Sequence, residues 1–128
     1  MKLLQLILVF TLFLSLNTIA QEYTFYSNVM KTGRCGSNTS GTPKEVKSTI
    51  IVNESDNKIV VIFADGAAGY NLNILKIKPD DSSTGVTSYQ IENNPLGIQT
   101  VIIDRDPLRK MIILIRSDRN CILFAGFD

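Results

Sequence analysis

Past residue 21, apolar side chains never recur at the three- and four-residue spacing of a buried helix face. Short runs rich in Val, Ile, Phe and Tyr alternate with polar turn residues instead. The runs predict eight strands: Tyr23–Val29, Val46–Asn53, Lys58–Ala64, Tyr70–Lys78, Val86–Glu92, Ile98–Arg105, Lys110–Ser117 and Cys121–Phe127. The breaks carry turn chemistry. Glu54-Ser55-Asp56-Asn57 can bond its own backbone, Asp65–Gly69 supplies glycines, and Asn93–Gly97, Asp106–Arg109 and Asp118–Asn120 punctuate the later strands. Connections this short make successive strands antiparallel neighbours, because a parallel return needs a crossover of a dozen or more residues. The expected fold class is all-β: a single antiparallel β-meander domain of about eight strands, closed as an up-and-down barrel or packed like a sandwich. One connection stands apart. Met30–Glu45 is long, polar and glycine-rich, the kind of loop that is usually functional or disordered.

Two runs are apolar on both faces. In Lys58–Ala64 the alternating sets are Ile59, Val61, Phe63 and Val60, Ile62, Ala64; in Lys110–Ser117 they are Met111, Ile113, Ile115 and Ile112, Leu114. A meander wall needs only one apolar face. The surplus is explained either by a loop or terminal segment lying over it, or by a recognition stripe made of Val60, Ile62, Ile112 and Leu114. Aromatics gather at both ends of the domain, Tyr23, Phe25 and Tyr26 in its first strand and Phe124 and Phe127 in its last. They are expected to anchor those strands in the core.

The segment before residue 21 changes the picture of where the protein resides. Lys2, the apolar run Leu3–Leu16 and the small-residue finish Thr18-Ile19-Ala20 form a cleavable signal peptide, residues 1–20, with cleavage before Gln21. The run is shorter than the roughly 20 residues of a membrane span. No cysteine follows it to carry a lipid, so the expected product is secreted or periplasmic with no transmembrane span, a domain over residues 21–128. Removing Lys2 leaves twelve basic against twelve acidic residues. That balance argues against a nucleic-acid partner held by bulk charge.

The two cysteines, Cys35 and Cys121, fall in the exported part, where an oxidising compartment favours a disulfide. Topology supports the pairing. In a strict meander, the first connection and the start of the eighth strand lie at the same end. If the sheet closes, first and last strands become neighbours, and a bond there would hold the glycine-rich loop across one mouth.

Candidate chemistry is mostly excluded. There is no histidine, so histidine-dependent triads, Cys-His nucleophiles and histidine zinc sites are ruled out. Gly36–Gly41 has the outer spacing of a phosphate loop, but Thr42-Pro43 stands where Lys and Ser or Thr are required. Asp80–Gly85 lacks the alternating ligands and closing Glu of a calcium loop. Asp104 and Asp106 could pair as acid and base, yet Arg105, Arg109 and Lys110 beside them favour ion pairing at a turn. Asn38-Thr39-Ser40 and Asn53-Glu54-Ser55 match the glycosylation acceptor pattern. No catalytic residue, metal ligand or cofactor is expected.

With its Thr18-Ile19-Ala20-Gln21 signal end, polar first loop and hairpins such as Ser48–Asp65, the chain resembles small exported bacterial β-meander proteins without an assigned function. The long first loop and the strand count also resemble lipocalins, although the Gly-x-Trp of that family is missing. The expected function is a non-enzymatic exported module binding a protein or envelope component; the alternative is a small lipocalin-like barrel carrying an apolar ligand.

Overall fold

The computed structural model describes residues 22–36, 41–67, 69–79 and 85–127, with Pro79 described in its backbone alone. The signal-peptide segment, Asn38 and Asp80–Thr84 lie outside the described residues. Eight strands follow one another: β1 Glu22–Arg34, β2 Lys44–Asn53, β3 Lys58–Phe63, β4 Tyr70–Pro79, β5 Val86–Ile91, β6 Ile98–Asp104, β7 Met111–Arg116 and β8 Asn120–Phe127. Each pairs antiparallel with the next, and β8 returns to β1, so the sheet closes as an up-and-down barrel. Closure decides between barrel and sandwich.

The strands close because each offers an alternating apolar face to one common interior. Phe25, Ile50, Val52, Ile59, Val61, Leu72 and Ile74 meet Tyr89, Ile91, Ile98, Val101, Ile103, Ile112, Leu114 and Phe124 in one buried cluster. An eight-stranded barrel is just wide enough for side chains to fill, and here they do. The first connection is shorter than expected. Met30–Arg34 and Lys44-Glu45 are strand, leaving residues 35–43 to join β1 and β2. What extends β1 is β8, which pairs it from Ser27 through Arg34.

An irregularity crosses the β1–β8 seam. In β1, Phe25 and Ser27 are buried but Met30 then packs on the core, so the inward face changes parity where the β1–β2 register shifts between Ser27 and Val29. In β8, Ile122 and Phe124 pack inward and so does Phe127, which requires the same change. Gly126 makes it with φ 66°, a conformation other residues adopt at a cost. The buried Ser27 hydroxyl stitches the seam, bonding the carbonyls of Ala125 at 2.7 Å and Val29 at 3.0 Å.

Candidate functional site

The barrel has two unlike mouths. At the end where β1 begins and β8 finishes, inward side chains plug the opening. Arg105 lies over the Tyr23 ring, 4.5 Å from its centroid, and donates through Nη2 to Thr87 Oγ1. Lys110 Nζ stands 5.9 Å from the Phe25 ring centroid and 5.8 Å from that of Phe127, and those two rings meet edge-to-face at 6.0 Å. Each cation over a ring is worth about 0.5–2 kcal/mol, more as water is excluded. Deeper in, the buried Tyr89 hydroxyl donates to Glu54 Oε1 at 2.8 Å. Burial, that hydrogen bond and the Glu54 charge push its pKa far above the ordinary tyrosine value. The aromatics expected to anchor the end strands therefore do so, except Tyr26, which faces outward and is 58% exposed.

Asp104 and Asp106, weighed above as an acid–base pair, sit at this end on the β6–β7 turn. Arg109 binds both, at 3.4 Å to Asp104 and 3.1 Å to Asp106, and each carboxylate also accepts a backbone N–H of the turn. They organise a turn. Asn53 is likewise engaged, its side-chain carbonyl accepting from Ser55 Oγ and the Asp56 N–H.

The opposite mouth carries the disulfide. Cys35 and Cys121 are bonded, with Cα atoms 5.1 Å apart, and the Cys35 N–H donates to the Arg119 carbonyl at 2.9 Å. The parity argument for the pairing holds: β1 runs up to Cys35, β8 starts beside it, and Gly33 stands opposite Cys121. Gly41, on the arm returning toward β2, lies so close to β1 that a β-carbon there would collide with the Thr32 carbonyl. Beside the disulfide opens a pocket of about 450 Å³ lined by Thr32, Gly33, Tyr70, Arg116, Asn120, Cys121 and Ile122. Smaller pockets at the same end are bounded by Glu45, Val46, Lys47, Ala64 and Asp65 (about 320 Å³) and by Ile91, Asn93, Gly97, Ile98, Gln99 and Ser117 (about 210 Å³).

The stripe of Val60, Ile62, Ile112 and Leu114 is not assembled. Ile112 and Leu114 point into the barrel and are fully buried, paired with the inward Ile103 and Val101. Only Val60 and Ile62 face out, and β3 and β7 stand four strands apart in a ring of eight, on opposite sides. Two outward apolar patches replace the stripe. On β1–β3, register sets Tyr26 beside Thr49 and Thr49 beside Ile62, with Ile51 beside Val60 in the next row. Ile62 is 50% exposed. On β6–β8, Ile102, Ile113 and Leu123 form one cross-strand row, each half-buried. The outer face between these patches is mostly polar, with Asn71, Asn73, Lys76, Lys78, Ser88 and Gln90 on β4 and β5, and Leu75 is an isolated exposed apolar side chain there.

Apart from Cys121, the pocket residues were not singled out from the sequence. Their signal was present in the alternation: Arg116 continues the inward set Ile112, Leu114, and Tyr70 begins the set Leu72, Ile74. No family model, no curated protein and no solved structure matches the chain. The fold defines the protein as a disulfide-stapled, closed eight-stranded antiparallel barrel. The disulfide fits an extracytoplasmic protein, and among the described residues no helix is long and apolar enough to cross a membrane.

Proposed function

We propose that the chain is a non-catalytic, secreted or periplasmic binding module that holds a partner protein on the outer face of β1–β3. The observation that carries this reading is the Tyr26–Thr49–Ile62 row with Ile51 and Val60 beside it, large apolar side chains turned to solvent on a barrel whose interior is already filled without them. Tyrosine and isoleucine on a flat sheet face suit a protein surface: the ring brings large contact area at the cost of two torsions. The filled interior favours this over carriage of an apolar molecule inside the barrel. Strand length argues against a barrel set in a membrane. β3, β5 and β7 have six residues each, whereas a tilted spanning strand needs about nine to eleven.

The test is affinity capture from the host's exported fraction with tagged protein. The expected result is a stoichiometric partner lost with Ile62→Lys and Tyr26→Ala but retained with Leu75→Lys, a substitution at a side chain 67% exposed on β4, outside the patch. Equal capture by all four proteins would overturn the assignment of the face.

A further inference from the structure

The two mouths treat their cations differently. At the plugged end, Arg105 and Lys110 lie over aromatic rings. At the disulfide end, Arg116 stands at the rim of the 450 Å³ pocket with its guanidinium only partly engaged. Its Nε donates to the Leu96 carbonyl at 3.0 Å, which fixes the plane of the group. Its Nη2 lies 3.5 Å from Asp118 Oδ2, with the two side chains 42% and 47% exposed. An ion pair that long and that wet is weak and easily exchanged. Nη1 has no partner among the described residues.

Tyr70 lines the same pocket, its ring edge-on to Phe63 at 5.5 Å. Its hydroxyl has no hydrogen-bond partner among the described residues. Burial raises its pKa while Arg116 lowers it, so the phenol stays a neutral donor within electrostatic reach of the guanidinium. Thr32 adds a second hydroxyl and Ile122 an apolar wall. Arg34, opposite Asn120 across the β1–β8 ladder, and Arg119 in the β7–β8 turn add positive charge to the rim, against Asp118. The volume falls within the range of small-molecule sites, roughly 300–1,000 Å³.

We infer that this mouth pocket binds small organic carboxylates: the anion replaces Asp118 on Arg116 and accepts from the Tyr70 and Thr32 hydroxyls, while its hydrocarbon part lies against Ile122 and the Tyr70 ring. A planar guanidinium held at one edge matches a carboxylate in a way a point charge does not. Asp118 serves as the resident competitor, keeping the arginine paired until a ligand arrives. The site is independent of the β1–β3 face and stands or falls separately.

The experiment is a heteronuclear NMR titration of the disulfide-bonded protein with hexanoate, hexanol and inorganic phosphate. Hexanoate is expected to give saturable shifts at Thr32, Tyr70, Asn120 and Ile122, with hexanol and phosphate at least tenfold weaker. Arg116→Gln should lose at least tenfold in hexanoate affinity. Asp118→Asn, at an exposed turn position where the amide oxygen can still accept the Asn120 N–H, should gain several-fold because the competitor is gone. Ile62→Lys should leave hexanoate binding unchanged. Absence of saturable hexanoate shifts, phosphate binding as tightly as hexanoate, or an Asp118→Asn variant that binds no better would each overturn the inference. Should Arg116→Gln fail to fold, the Asp118→Asn result decides alone.

Discussion

Removing the disulfide should cost this barrel a large share of its stability without opening it. Cys35 and Cys121 are 86 residues apart, so the bond closes a ring through most of the described domain. The chain-entropy relation assigns a ring of that size about 4.6 kcal/mol at 25 °C. A small domain holds only about 5–15 kcal/mol in total. Much of the local structure survives reduction, because β1 and β8 remain paired at seven positions from Ser27–Phe127 to Arg34–Asn120. The Cys35→Ser/Cys121→Ser variant should therefore keep its far-ultraviolet circular dichroism at low denaturant. In urea its midpoint should fall by roughly 1.5–4.6 M, for a slope of about 1–3 kcal/mol/M. Tyrosine fluorescence is the companion probe, since the chain has no tryptophan. A stability loss below about 1 kcal/mol would refute the reasoning, and would show that the staple neither restrains the unfolded chain nor holds the seam.

Four further outcomes are expected. Leu114→Lys, at a fully buried position, should cost about 4 kcal/mol or more and abolish cooperative melting, whereas Ile62→Lys on the outer face should change stability by under about 0.5 kcal/mol. Ser27→Ala should lose about 1–2 kcal/mol with its bond to Ala125. Its cross-strand neighbour Ser48 is buried with no hydrogen-bond partner, so Ser48→Ala should be neutral or stabilising in the same urea assay. Gly126→Ala should cost about 1–2 kcal/mol, because φ 66° is unfavourable for alanine and the new methyl meets Val29 Cγ2 at 3.2 Å. Tyr89 has a raised pKa when folded, so its contribution is complete below the ordinary value of 10.0 and fades as pH climbs above it. Wild-type stability should decline above about pH 10, and Tyr89→Phe should flatten that decline, as read by denaturation at stepped pH.

The eight strands were legible because each alternates or is bounded by Gly, Asn, Asp or Pro, signals that act within a few residues. Met30–Arg34 carries no such signal. It becomes strand because β8, at the far end of the chain, pairs it, and no local pattern reports a partner some ninety residues away. The faces of β7 were undecidable for a related reason. Met111–Ile115 is apolar at every position, so a period of two selects neither set. Register selects it: Ile112 and Leu114 pair with Ile103 and Val101, which the bulge between Ile98 and Thr100 brings inward. The disulfide was legible because strand parity alone puts both cysteines at one end. The pocket beside it needed the further step of extending each inward set to the rim, where Arg116 and Tyr70 stand.

The parity change in the β1–β8 seam is what makes the two mouths chemically different. Below it, Phe25 and Phe127 turn inward together and, with Lys110 over both rings, close the end where β1 begins. Above it, the inward set is Met30, Ile122 and Phe124, so Cys121 takes the opposite face of β8, where it meets Cys35 and is nonetheless only 3% exposed. Without the change, uninterrupted alternation would send Phe127 to the same outer face as Cys121, and the lower mouth would lose its plug. Ser27 and Gly126 thus do more than accommodate a bulge. One bonds across the seam and the other supplies the backbone geometry, and between them the same two strands seal one end of the barrel and staple the rim of the other.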